Sequence, residues 1–265
     1  MNQTKTFDLS RVGLLIKKEL FYQRKAPWII IGGVFVFLLF INLLMSSESP
    51  GPNDLPANQL MFYIFSLLIL GTIFTASAFN ELNNKSSAHH YLSIPASTLE
   101  KLISKWLVTG IFYVIAFNIF YFIFCIISSA LTNYFFDQAF IVFNPFEPRF
   151  ELDGMTPLFF SKLYLALHTV YLAGAIYFRK YAYFKTMIAQ SFIFCNLIGL
   201  MMGIGSLFFV DVWTEGINLA HIDIGSGTKN IFENVFPILG KIMLWFVFPL
   251  WMLTYSFFKL KEKEV

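Results

Sequence analysis

Charged residues are scarce in this sequence, since Asp, Glu, Lys and Arg make up only 13% of its 265 residues. A typical soluble domain carries about 25% charged residues, because its surface must face water. Hydrophobic residues make up 57% of the chain, and Phe alone accounts for 34 positions. The composition therefore excludes an ordinary soluble domain and indicates lipid as the solvent. The net charge of +3 is small and the basic residues lie in short clusters between apolar runs, so we expect no nucleic-acid partner.

Cysteine is rare as well, and the motifs of several enzyme classes are missing. Cys125 and Cys195 both lie inside apolar runs, where a thiol usually serves as a small hydrophobe, so a disulfide framework is not indicated. The sequence has no G-x-x-x-x-G-K-S/T phosphate loop, no G-x-S-x-G nucleophile motif and no H-E-x-x-H metal motif. We therefore expect no catalytic residue, no cofactor site and no metal site on this chain.

Long apolar runs, in contrast, are abundant. A helix needs about 20 apolar residues to cross the hydrocarbon core of a bilayer. The runs of suitable length are 26–45, 58–79, 106–131, 157–178, 186–210 and 236–257. Backbone polar groups in lipid must be paired within their own segment. The sequence thus predicts an all-α integral membrane protein, with six transmembrane helices in a single domain over residues 1–265.

The distribution of basic residues predicts the orientation. Cytoplasmic loops of membrane proteins carry an excess of Lys and Arg. Of the 19 Lys and Arg residues, all except Arg149, Lys162, Lys229 and Lys241 fall on the same side as the N-terminus if the chain crosses six times. We therefore expect both termini in the cytoplasm and the protein in the inner, cytoplasmic membrane.

Residues 8–23 read as an amphipathic helix. Leu9, Val12, Ile16 and Leu20 share one face, whereas Arg11 and Lys18 lie opposite. A helix of this kind beside the inner leaflet is typical of a position in the membrane interface, in contact with lipid. The alternative is an ordinary solvated cytoplasmic helix.

The link between the second and third spans, residues 80–105, contains the clearest local signals. Ser97 and Glu100 have the spacing of a capping box, in which each side chain binds the backbone N–H of the other residue. Pro95 disfavours helical geometry at the residue before it. We expect one short element to end before Pro95 and a new helix to run from Thr98 into the third span. Its Lys101 and Lys105 are expected to face anionic head groups.

The link also carries a family resemblance. It contains the pattern Leu92-x-x-Pro95-x-Ser97-x-x-Glu100-x-x-x-x-Lys105, and Glu81 precedes it just after the second span. This arrangement, together with the interfacial helix and six spans, resembles the type-2 ABC exporter permeases. Thr98 departs from the family pattern, in which Arg is frequent at this position.

The resemblance implies a function and its partners. Residues 81–91 would form the coupling helix that docks on a separate cytoplasmic ABC ATPase subunit, which binds the ATP. A second permease, either the same or a homologous chain, would complete the unit, with spans two and five at the dimer centre. The residues assigned to the ATPase-coupling loop are Glu81, His89, His90, Tyr91, Leu92, Pro95, Ser97, Glu100 and Lys105. We expect a permease subunit of an ATP-driven exporter that works by alternating access, and uncharged spans favour an amphipathic or lipid-like substrate.

Polar residues within the spans leave two interpretations open. They either line a translocation path or hold helices together by hydrogen bonds, and the second use is the commoner one. The candidates for a path are Thr75, Gln190 and Asn196, whereas His168 is expected to be a hydrogen-bonded histidine of the bundle.

Two alternative functions remain. A membrane scaffold or assembly subunit that does not transport would dock a cytoplasmic partner through the same link. An intramembrane enzyme is disfavoured, because no acid, base or metal-ligand residues converge at any depth. The adjacent His89 and His90 point about 100° apart on a helix and are poorly placed to share a metal ion.

Overall fold

The computed structural model describes residues 7–22, 26–46, 54–136, 142–147, 155–178, 180–208 and 236–264, and most of these residues are helical. The α-helices are α1 (Leu9–Tyr22), α2 (Ala26–Ser46), α3 (Asp54–Ala76), α4 (Lys85–Leu92), α5 (Thr98–Trp106), α6 (Tyr113–Phe136), α7 (Pro157–Tyr177), α8 (Ala182–Phe208), α9 (Phe236–Ile242) and α10 (Phe248–Glu264). A 3-10 turn (Asn80–Asn83) precedes α4, and π-helical segments join α5 to α6 (Leu107–Phe112) and α9 to α10 (Met243–Val247). The predicted all-α class is confirmed for these residues.

Within the described residues, five helical stretches are long and apolar enough to cross a membrane, and they match the predicted second to sixth spans. They are Gln59–Ala76, Thr98–Phe135, Pro157–Tyr177, Ala182–Leu200 and Ile238–Lys263. The predicted first span coincides with α2, whose apolar stretch Gly32–Leu44 is shorter. The chain is therefore an all-α, multi-pass membrane protein, and the count of six spans stays a prediction.

The stretch Thr98–Phe135 is too long to lie entirely within the hydrocarbon core. Its 38 residues extend about 57 Å at 1.5 Å per residue, whereas the core is about 30 Å thick. The charged residues of this stretch, Glu100, Lys101 and Lys105, all lie in α5 at one end. The helix that begins at Thr98 thus precedes the third span and continues into it, as predicted.

The centre of the bundle is an aromatic core where α3, α6 and α7 meet. Tyr63 of α3 is fully buried there, and its hydroxyl lies 3.0 Å from Asn118 Oδ1 of α6 and 2.9 Å from Ser161 Oγ of α7. Its ring packs edge-on against Tyr121 with centroids 5.2 Å apart. Such an aromatic pair contributes about 0.5–1.5 kcal/mol beyond its burial. The hydrogen bonds of Tyr63 fix the register of the three helices.

A second group of buried polar residues joins the same helices nearer the link. The Tyr164 hydroxyl donates to the Thr109 carbonyl at 2.6 Å and lies 3.0 Å from Thr75 Oγ1. Thr109 Oγ1 in turn lies 2.7 Å from His168 Nε2. His168 is therefore a hydrogen-bonded histidine of the bundle, as predicted. Thr109 belongs to the π-helical segment Leu107–Phe112, where the regular ladder is disturbed and the Tyr164 hydroxyl satisfies one carbonyl.

Helices α7 and α8 approach closely at Gly174. A Cβ added there would lie 1.9 Å from Thr186 Oγ1, so no larger residue fits without moving the helices apart. Thr186 directs its own hydroxyl to the Ala182 carbonyl at 2.7 Å, which keeps it within its helix. This contact fixes the start of α8 against the end of α7.

Candidate functional site

The link folds as two short helices separated by a sharp break. Helix α4 ends at Leu92. The chain then turns at Pro95, where the Ala96 N–H donates to the Ile94 carbonyl at 2.7 Å. Helix α5 then begins at Thr98. The predicted end of the first element before Pro95 is confirmed.

The capping box at the start of α5 is present. The Glu100 N–H donates to Ser97 Oγ at 3.3 Å, and the Ser97 N–H donates to Glu100 Oε2 at 2.7 Å. Replacing a capping Ser by Ala usually costs about 0.5–2 kcal/mol. The start of α5 is therefore fixed by two reciprocal hydrogen bonds, as predicted from the sequence.

Glu100 also binds the beginning of α1, which the sequence did not reveal. Its side chain is fully buried; Oε1 accepts the Asp8 N–H at 2.7 Å and lies 3.4 Å from Arg11 Nη2. Burial opposes ionisation, but the N–H donors of Ser97 and Asp8 and the Arg11 guanidinium outweigh it, so the pKa of Glu100 is held below its ordinary value. One carboxylate thus ties the first residues of α1 to the first residues of α5.

Lys105 makes the second tie, and it joins three elements. Its Nζ lies 2.8 Å from Glu19 Oε1 of α1 and 3.1 Å from Glu81 Oε2 of the 3-10 turn. The ammonium also lies 5.8 Å from the ring centroid of Phe79 and 5.5 Å from that of Tyr91, within range of cation–π attraction. Lys105 is only 4% exposed.

The expectation that Lys101 and Lys105 face lipid head groups is therefore wrong. Lys101 is 2% exposed and its Nζ donates to the Leu92 carbonyl at 3.0 Å. Both ammonium groups point inward because α1 and the link supply the oxygen partners that a buried cation needs. These lysines hold the link together instead of contacting the membrane surface.

The predicted apolar face of α1 is divided in the structure, since Val12 is buried whereas Leu9 and Leu20 are exposed. Its inward face buries Val12 and Leu15 and directs Arg11 and Glu19 to the ion pairs with α5. The exposed side chains of α1 include the large apolar Leu9, Leu14, Leu20 and Phe21, together with Lys17. Four exposed large apolar side chains on one short helix favour a position in the lipid interface over the solvated alternative.

An apolar cluster attaches the link to the far end of the chain. Leu82 and Tyr91 of the link pack there with Leu102 of α5, Ile176 of α7 and Leu260 of α10, all buried. Near the cluster, Lys263 Nζ of α10 donates to the Ile176 carbonyl. The link is therefore enclosed by α1 on one side and by the ends of α7 and α10 on another.

The predicted coupling residues fall into three groups by exposure. Tyr91, Glu100 and Lys105 are buried, whereas Glu81, Leu92 and Ser97 are half-buried. His89, His90 and Pro95 are exposed. The buried members build the link, and the exposed members form part of its outer surface.

The three candidate path residues differ in burial and in their hydrogen-bond partners. Thr75 is fully buried, donates to the Gly71 carbonyl at 2.8 Å and contacts the Tyr164 hydroxyl, so it joins α3 to α7. Gln190 is half-buried on α8, and its Oε1 has no hydrogen-bond partner among the described residues. Asn196 is exposed on the same helix, where its amide donates to the Phe192 carbonyl at 2.7 Å. Their assignment to a path stays a prediction.

Within the described residues, no three His, Cys, Asp or Glu side chains are grouped as a metal site requires. Comparison of the chain with protein-family models, with curated proteins and with solved structures found no match.

Proposed function

We propose that this chain is the membrane-spanning permease subunit of an ATP-driven ABC exporter with type-2 architecture. It pairs with a separate cytoplasmic ATPase subunit and a second permease, and both of its termini face the cytoplasm of a cell whose inner membrane it spans. The observation that carries the proposal is the construction of the link. Buried ion pairs tie α1 to α5 and tie α5 to the 3-10 turn within the link, and the outward surface of α4 is polar and exposed.

A coupling element must transmit force without yielding. Removal of one partner from a buried ion pair costs about 3–5 kcal/mol, so the ties at Glu100 and Lys105 make α1, the link and α5 move together. Helix α5 continues through a π-helical segment into α6. A displacement of α4 by a bound ATPase would therefore pass directly into the third span.

Two of the described spans contain a π-helical segment, at Leu107–Phe112 and at Met243–Val247. Such segments interrupt the regular hydrogen bonding of a helix and are frequent at functional positions. In alternating access, spans three and six would bend at these positions while the polar contacts of Tyr164 hold the neighbouring helices in register.

An amphipathic or lipid-like substrate suits the chemistry of the spans. Helix α6 contains no charged residue, and every residue from 191 to 200 of α8 is exposed. An exposed apolar helix with scattered polar groups such as Asn196 provides a surface for lipid tails or for the second permease. It does not provide the buried carboxylates that ion-coupled transport requires.

A scaffold that docks a cytoplasmic partner without transport is the second candidate. It is favoured by the use of Thr75 and Tyr164 as hydrogen-bonded contacts between helices, since these polar groups are then not open to a substrate. The two functions share the docking face of α4 and differ in whether ATP hydrolysis responds to a substrate.

Purification of the tagged full-length chain from its native membrane in mild detergent tests the proposal. We expect a nucleotide-hydrolysing subunit to co-purify, and we expect its ATP hydrolysis to rise when amphipathic compounds are added. Absence of any such subunit contradicts the proposal. Hydrolysis that no amphipathic compound changes, across a panel of lipids and detergents, favours the scaffold.

A further inference from the structure

The outward face of α4 has an uneven chemical composition. Lys85, His89 and Ser93 follow one another at successive helical turns, with Ser86 and His90 beside them, and all are exposed. The opposite face of the helix, with Ala88 and Tyr91, packs into the apolar cluster. The surface presented to a partner therefore consists of a lysine, two histidines and two serines.

No carboxylate contributes to this surface. Residues 80–105 contain two acidic side chains, Glu81 and Glu100. Lys105 binds Glu81, while Ser97, Asp8 and Arg11 surround Glu100. Both carboxylates of the link are thus engaged in internal ion pairs, and Lys85 is the lysine of the link that stays at the surface.

The same face has no apolar anchor for lipid. No large hydrophobic side chain of α4 is exposed, and within the link the exposed one is Leu99 of α5, whereas α1 exposes Leu9, Leu14, Leu20 and Phe21. A segment that binds a membrane surface usually combines cationic groups with apolar side chains that enter the acyl boundary. By this criterion α1 belongs to the lipid interface and α4 belongs to a protein partner.

We infer that the subunit that docks on the link presents an acidic groove to α4, with carboxylates placed to meet Lys85, His89 and His90. This inference rests on the proposed function and specifies the chemistry of the partner. Lys85 supplies a positive charge, and the imidazole N–H groups of His89 and His90 can donate hydrogen bonds to carboxylates. Complementary charge of this kind sets orientation and association rate, and it weakens as salt screens it.

Charge reversal on the full-length chain tests the inference. Lys85→Glu combined with His89→Glu places two negative charges on the outer face, and Lys85→Arg combined with His89→Lys keeps the face positive. A matched pair, Lys180→Glu with Lys261→Glu, reverses two exposed lysines elsewhere. Each variant is purified from native membranes, and the retained ATPase subunit is measured by its band and by ATP hydrolysis at rising NaCl concentration. The yield and thermal unfolding of each variant report its folding.

We expect the α4 reversal to lower the retained ATPase at least about tenfold, while the positive variant and the reversal at Lys180 and Lys261 retain it. Retention of the ATPase by the α4 reversal overturns the inference and leaves the proposed function standing. Absence of an ATPase from the unmodified chain overturns both.

Reconstitution separates a protein partner from lipid head groups. The purified ATPase subunit is added to variants in nanodiscs of neutral phosphatidylcholine and in discs that contain anionic phosphatidylglycerol. We expect the α4 reversal to lose binding in both. A loss confined to anionic discs would mean that α4 contacts head groups, which contradicts an acidic groove.

Discussion

Replacing Lys105 by Met tests the central tie of the link. Met keeps most of the length and the apolar stem of Lys but not its charge. The variant leaves Glu19 and Glu81 facing each other without the ammonium that lies 2.8 Å and 3.1 Å from their oxygens. Breaking a buried pair costs about 3–5 kcal/mol. The side chains of Glu19 and Glu81 are 20% and 30% exposed, and water therefore reduces the expected loss to about 2–3 kcal/mol.

We expect this loss in the free energy of unfolding of the purified protein, measured in one detergent for all variants. Amide exchange of α1 should accelerate as well, because the helix loses one of its two ties. Lys180→Met, at an exposed lysine, should change stability by less than about 0.5 kcal/mol. Combining Lys105→Met with Glu19→Gln and Glu81→Gln should restore most of the loss, since no unpaired charge remains. A single variant as stable as the control, or a combination no better than Lys105→Met, would refute the reasoning.

The packing gives three further expectations. Gly174→Ala places a Cβ 1.9 Å from Thr186 Oγ1, so the free energy of unfolding should fall by about 1–3 kcal/mol. Adding Thr186→Ala should relieve this loss, and an unchanged thermal transition in the single variant would contradict the contact. Leu260→Ala removes a fully buried side chain and should lower the free energy of unfolding by about 2–5 kcal/mol. Phe258 is exposed, so an equal loss from Phe258→Ala would argue against the cluster. Because the pKa of Glu100 lies below its ordinary value, its stabilising contribution is present at neutral pH and is lost as the pH falls through the folded-state pKa. Protection of the α1 amides should therefore decrease as the pH falls below the ordinary range of a glutamate and through the folded-state pKa of Glu100. A Glu100→Gln variant that keeps the same pH dependence would contradict this role.

The sequence predicts those features that depend on neighbouring residues or on the solvent. Apolar runs must form helices in lipid, and the spans found in the described residues follow them. The capping box needs only Ser97 and Glu100 at the right spacing, and the break needs only Pro95. Each of these signals is complete within a few residues, so no tertiary information is required.

The arrangement of α1 could not be predicted in the same way. One face of this helix buries Val12 and Leu15 and the other exposes further apolar side chains, so an apolar stripe does not identify the inward side. The inward side is set by distant charges, with Arg11 near Glu100 and Glu19 near Lys105. The complementary order of charges along the two segments was the available signal. It becomes specific only when α1 is known to lie beside α5.

The side on which the link lies is the claim on which the proposed function depends most. Ser86 is exposed on α4, and a Ser86→Cys variant can be labelled with a membrane-impermeant maleimide in a Cys195→Ser background, where Cys125 is buried. Labelling should occur in inside-out membrane vesicles and not in intact cells. Labelling from outside intact cells would place the docking face away from cytosolic ATP and would contradict the account.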